Sequence, residues 1–250
     1  GAATTPDHMG PDERSGPGAA AGSADQQAGR AGRRHVVTLY TYFRSSAAYR
    51  VRIVLALKGL AWQPSVVHML RDGGEQHRPE YRAVNPLGLV PTLVDGDAVL
   101  VQSTAICEYL EETHPEPPLL PRDPVARAYV RAVMATIACE IHPLDNLRVL
   151  HYVTKTLGHD EDEKLAWYRH WVAVGFAGLE ALMTKAGRTG RYVHGDTPTL
   201  ADAFLVPQVF NARRFQCPLD AFPTIVRVAD TAAAHPAIAS ARPDAQVDAA

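Results

Sequence analysis

Cysteine is scarce in this chain: Cys107, Cys139 and Cys217 are three in 250 residues, odd in number and far apart. That excludes a disulfide framework. No two of the 11 histidines stand three or four residues apart, and neither CxxC nor HExxH occurs, so no metal is expected. There is no GxSxG elbow and no GxxxxGK loop, which removes support for serine hydrolases and P-loop enzymes. No apolar run approaches the roughly 18 to 20 residues of a membrane span. A net charge of -2, with no block of like charge, leaves no field to attract nucleic acid or an anionic membrane surface. With no signal-peptide pattern at the front, a reducing, cytoplasmic setting is expected. What remains is a globular chain, 46% hydrophobic, able to build a sizeable core and suited to small-molecule partners.

Residues 1–34 hold Gly, Ala, Pro, Ser and Arg with hardly an aliphatic side chain, and so are expected to be disordered. The chain begins at Gly1, and His8-Met9 reads as a cloning junction, so residues 1–8 are expected to be a remnant of it. From residue 35 the pattern changes. HVVTLYTYF (35–43) is β-branched and aromatic, as a strand requires, and Val51, Val54 and Leu55 then keep helical spacing up to a stop at Gly59. PSVVHML from Pro64 reads as a second strand, and a β-helix-β order predicts a parallel pair within a mixed sheet. Asp95-Gly96 between two short apolar runs predicts a hairpin. Ser103 is a candidate N-cap for the helix STAICEYLEETH.

These elements predict a small α/β domain over 35–114, followed by a proline-rich linker at 115–124. From 125 to 242 the pattern is helical. Trp167, Trp171, Val174, Gly178 and Leu182 form a candidate buried stripe. Thr199 and Asp202 form a capping-box-like pair before an apolar run, which predicts a central buried helix. Residues 243–250 are expected to be a disordered tail.

The candidate chemistry gathers where strands meet helices, the place at which open α/β sheets bind ligands. Ser45 and Ser46, flanked by Arg44, Arg50 and Arg52, mark the first such junction, and the free N–H groups of a helix start suit an anion. Read blandly, the serines are N-caps and the arginines a solvated face. Val90-Pro91 at a predicted strand start and the polar pair Gln102-Ser103 at a second junction complete the set.

The segments YFRSSAAYRVRIVLALKG, NPLGLVPTLVDGD, QSTAICEYLEETHP, IHPLDNLRVL and GDTPTLADAFLVPQVFNARRF resemble the zeta class of the glutathione transferase superfamily, over essentially all of residues 36–242. The resemblance implies a thioredoxin-like domain that binds glutathione, an all-helical second domain and a homodimer. It places the glutathione thiol against Ser45 and Ser46, the backbone of Val90 before a cis Pro91 on the cysteinyl part, and Gln102 and Ser103 on the γ-glutamyl end. Gln76, His142, Asn146 and Arg148 would contribute to the glutathione and substrate pocket. Arg44, Arg148 and Arg214 become candidates for holding substrate carboxylates; helical neighbours point about 100° apart, so only one of Arg213 and Arg214 should face the pocket, and the resemblance favours Arg214. One departure falls in the signature, where Ala47 stands for the family's common Cys and Tyr49 for its Trp.

The implied activity is glutathione-dependent cis-trans isomerisation of maleylacetoacetate to fumarylacetoacetate. Alternatives are a maleylpyruvate isomerase, a general glutathione transferase or dehalogenase, and a protein that binds glutathione or another ligand without turnover.

Overall fold

The computed structural model describes residues 36–249, and the expected disorder of residues 1–34 lies outside them. Strand β1 (Val37–Thr41) runs into helix α1 (Ser46–Leu57), and β2 (Trp62–Val66) returns parallel to β1. After two short 3-10 turns and helix α2 (Pro79–Val84), the hairpin β3 (Thr92–Asp95) and β4 (Ala98–Val101) leads into α3 (Ser103–Thr113). The sheet order is β2-β1-β3-β4, with β3 antiparallel to β1 and to β4, so the sheet is mixed as predicted. Strand β2 begins at Trp62 and ends at Val66, earlier at both ends than the sequence pattern suggests. It is an edge strand, which tolerates Pro64 because one row of its N–H groups has no ladder partner.

The rest is helical: α4 (Pro124–Ala135), a π-helical stretch Thr136–Ile141, then α5 (His142–Asp145) and α6 (Leu147–His151). The long α7 (Glu161–Ala186), α8 (Leu200–Arg214), α9 (Pro223–Ala233) and α10 (Pro236–Ser240) follow. Helix α8 is buried along Leu200–Val209 and packs against α1, α4 and α9, which makes it the central helix. Asp202 accepts hydrogen bonds from the Thr199 N–H (2.8 Å) and hydroxyl (2.9 Å) and from Val193 N–H (2.9 Å), tying the helix start to the preceding turn. No helix among the described residues is long and apolar enough to cross a membrane.

Two expectations are corrected. The buried stripe of α7 is Tyr168, Val172, Phe176, Leu179 and Met183, one or two residues on from the predicted one, and Val174 is 52% exposed. Two stripes of helical spacing overlap here, and the tryptophans take the boundary because an indole N–H needs a partner; Trp167 Nε1–H donates to Leu144 O at 2.8 Å. The linker segment 115–124 is packed against the rest of the chain. Residues 36–249 form one compact unit, Leu119 and Leu120 are buried, and their N–H groups donate to Glu111. The expected tail is also held over 243–249: Pro243–Ala245 is a 3-10 turn and Phe43 N–H donates to Asp248 Oδ2 at 2.8 Å.

Candidate functional site

The first strand-helix junction is built by its backbone. Ser45 is the N-cap of α1, extended at φ -70 and ψ 115, and its Oγ accepts from Ala48 N–H at 3.1 Å. A hydroxyl can accept and donate at once, so this cap leaves the Ser45 proton uncommitted. Ser46, the first residue of the helix, is buried, and its Oγ is hydrogen-bonded to His142 Nδ1 at 2.9 Å. This contact joins the α/β part to the helical part. Burial, and then the charges of Arg50 and Arg148, push the His142 imidazole down to about 3, so it is neutral at working pH.

Two arginines expected on a solvated face are instead buried, Arg50 at 2% and Arg52 at 1% exposure. Helix α1 is sandwiched between α3 and α8, so it has little solvent face in this turn. Arg52 donates to Thr41 Oγ1 (3.1 Å), Tyr42 O (3.4 Å), Phe43 O (3.1 Å) and Ala241 O (3.1 Å). It therefore holds the loop that carries Ser45 and ties the C-terminal helices to it. Arg50 donates to Ser103 Oγ at 3.1 Å and lies over the Phe204 ring. Burial lowers its pKa to about 10, leaving it charged.

The second junction differs from the expected cap. Gln102, not Ser103, is the N-cap of α3; it has φ 70, and its side chain caps nothing. Ser103 is buried with its Oγ receiving Arg50. The Val90-Pro91 peptide is cis, and Val90 packs in a small cluster with Tyr42, Val67 and Tyr81. Gln76 reaches the same region: its Nε2 donates to Met69 O at 3.3 Å, while its buried Oε1 has no partner. Gly74 precedes it with φ +102, and a Cβ there would meet the Gln76 side chain within 3 Å.

The remaining candidates lie on the helical side. Asn146 caps α6 through Oδ1, which accepts from Val149 N–H at 3.1 Å. Arg148 follows it, exposed, and its charge acts on His142. Arg213 forms a two-pronged pair with Asp230 (2.7 and 3.1 Å), leaving its neighbour Arg214 directed elsewhere. Desolvation first, then the Arg44 charge, lowers the Arg214 pKa from its usual value. The same two guanidiniums bear on buried Tyr42. Among the described residues, none of Arg44, Arg148 and Arg214 has a carboxylate partner.

Sequence reasoning missed Asp145, although it adjoins Asn146. It is 8% exposed, neither carboxyl oxygen has a partner, and burial raises its pKa from 3.8 to about 8. Between those values the unfolded chain releases a proton that the folded chain keeps, so stability falls as pH rises from about 4 to about 8. Asp145→Asn removes that dependence. Its Tm should exceed the parent's by roughly 3 to 8 °C at pH 8 and match it near pH 4; thermal melts at both pH values check this, and equal differences at both would refute it.

The site suits an anionic ligand that also brings hydrogen-bond donors. It offers a hydroxyl proton at a helix start, a buried amide oxygen awaiting a donor, and several cations without internal counter-ions. Among the described residues, no group of side chains could hold a metal ion.

Comparison with known proteins agrees with this chemistry. Residues 39–118 match the family profile of the glutathione S-transferase N-terminal domain. The chain is 52% identical over 211 residues to the maleylacetoacetate isomerase of Pseudomonas aeruginosa, covering 84% of this chain and 97% of that one. It is 46% identical over 214 residues to a maleylpyruvate isomerase from a Ralstonia species, covering 85% and 99%. Among solved structures, a holo maleylpyruvate isomerase described as a bacterial zeta-class glutathione S-transferase superposes with TM-score 0.83 at 45% identity, covering 85% and 100%. A maleylacetoacetate isomerase from Methylobacterium extorquens, with malonate and glutathione bound, gives 0.82 at 38%, covering 85% and 99%.

Proposed function

The chain belongs to the zeta class of the glutathione transferases, and from that membership we propose that it is a glutathione-dependent cis-trans isomerase of maleyl diacids, with maleylacetoacetate as substrate. The observation that carries this reading is the Ser45 hydroxyl at the start of α1, which accepts from Ala48 N–H and keeps its own proton to donate, next to Tyr42, on which the Arg44 and Arg214 charges both act.

Glutathione, held by these residues, would supply a thiolate nucleophile for reversible addition to the cis double bond. The protein's share is electrostatic. Ser45 donates its free proton to the thiolate, and the N-terminus of α1 adds its partial positive charge. Neutral His142 fixes the Ser46 hydroxyl without adding a cation that would compete for the substrate. Gln76, Val90, Gln102, Ser103 and Asn146 hold the cofactor's peptide. Arg44, Arg148 and Arg214 take the carboxylates of the diacid and the negative charge that develops on its ketone oxygen.

Maleylpyruvate is the second reading, since relatives of both kinds align along nearly their whole length. Assaying both substrates with and without glutathione tests the proposal: turnover of at least one, and only with glutathione, is expected. Isomerisation of neither would overturn it. Arg214→Ala should raise KM for the diacid by about tenfold to a hundredfold, the worth of a lost charge-assisted hydrogen bond. Arg213→Ala, which breaks only the surface pair with Asp230, should leave kcat/KM within about twofold. Equal effects of the two would remove Arg214 from the site. From the same membership we also propose a homodimer: sedimentation should give the dimer mass, and a monomer would overturn it.

A further inference from the structure

A buried arginine is ordinarily matched by a carboxylate, because an unpaired charge in the interior costs several kcal/mol. Arg50 has no such match among the described residues. It is 2% exposed, its single hydrogen-bond partner is Ser103 Oγ at 3.1 Å, and its Nε and Nη2 have none. The Phe204 ring, 4.7 Å from the guanidinium carbon, gives it a partial substitute for hydration. Its place is central. It stands one helical turn after Ser46 on α1, bonds the first residue of α3, lies against α8 and acts electrostatically on His142.

The hydrogen-bond chemistry of the pair is one-directional. Arginine donates and cannot accept, so Ser103 Oγ accepts, and the Ser103 proton must point to something else. The first N–H groups of the 11-residue α3 have no side-chain cap, and Gln102 stands at φ 70 beside them. We propose that Arg50 is a positioning residue for the anionic γ-glutamyl end of glutathione. By occupying a lone pair of Ser103 it turns the hydroxyl proton towards the α-carboxylate at the start of α3, and its uncompensated charge is balanced when that carboxylate arrives. The interior thus lacks a counter-ion because the ligand brings it. This inference rests on glutathione being the cofactor.

The test is calorimetric binding of glutathione and of an analogue whose γ-glutamyl α-carboxylate is replaced by hydrogen. The parent protein should prefer glutathione by about tenfold to a hundredfold. Arg50→Met should bring the two affinities within about threefold of each other, and Arg50→Lys should restore most of the preference. A merely structural role would weaken both ligands alike and leave the ratio unchanged, which would overturn the proposal. Should Arg50→Met fail to fold, Arg50→Gln, which removes the charge but keeps a side-chain donor, decides: affinities brought within about threefold of each other support the proposal and an intact preference overturns it. If the parent binds neither ligand, the cofactor reading itself fails and this inference falls with it; unequal binding by the parent with unchanged ratios in the variants defeats this inference alone.

Discussion

Replacing Ser45 by alanine should lower kcat for the glutathione-dependent isomerisation by about 10² to 10³, the cost of deleting one donor aimed at a reacting anion. Ser45 Oγ already accepts from Ala48 N–H, and among the described residues no recorded acceptor takes its proton. Without it the bound thiol should titrate close to the free value of about 8.5, where only a few per cent is thiolate at neutral pH. Ultraviolet titration of the bound thiolate reads that shift directly. Losing the cap also costs about 1 kcal/mol of stability, whereas Ser45→Gly costs only a few tenths. Glycine therefore separates the two effects, and it should abolish activity as thoroughly as alanine while melting close to the parent. Ser46→Ala should cost less, about tenfold, because that hydroxyl is already engaged with His142. A fully active Ser45→Ala beside an inactive Ser46→Ala would transfer the donor's role to Ser46.

The largest loss of stability is expected from Glu111→Ala. Lys58 Nζ and Glu111 Oε2 lie 2.6 Å apart, with the lysine side chain fully buried and the glutamate 10% exposed. Lys58 also donates to His114 O (2.7 Å) and Pro117 O (2.9 Å), and Glu111 accepts from Leu119 N–H and Leu120 N–H. The pair thus satisfies the backbone of the crossover between the sheet and the helical part. Removing one partner leaves a buried charge and two buried amides unpaired, which costs about 3 to 5 kcal/mol. Denaturant unfolding should show that loss with an unchanged slope. A loss below about 1 kcal/mol would mean that water reaches Lys58 and that the pair is no more than a surface contact.

The stretch from Phe43 to Ile53 shows how far local pattern reaches. Ser45 as a cap at a strand-helix junction follows from residue type and spacing, because capping is a bond between a side chain and an amide three residues on. The mixed sheet, the hairpin at Asp95-Gly96 and the central α8 follow in the same way, from turn chemistry and from helices apolar on all faces. The fates of Arg50 and Arg52 do not. The same spacing that puts Arg50 below Ser46 suits a solvated helix face, and what excludes solvent is α8, some 150 residues further along the chain.

Asp145 and Asp248 were invisible for the same reason. Each is an ordinary polar residue until distant elements close over it, one in the helical part and one against the Phe43 amide. The α7 stripe fails differently, since two overlapping sets of apolar residues satisfy the helical period and only packing against α5 and α9 chooses between them.

The sequence by itself determined the succession of elements, the caps and turns that begin them, the family and the hydroxyls and arginines available for chemistry. Those rest on interactions that span a few residues. Only the tertiary structure decided which charges are buried and unpaired, that Ser46 meets His142, and that Ser103 receives Arg50. Burial and pairing depend on contacts between residues 53 to 205 positions apart, and no local pattern encodes what a side chain will face once the sheet and the helices have closed on each other.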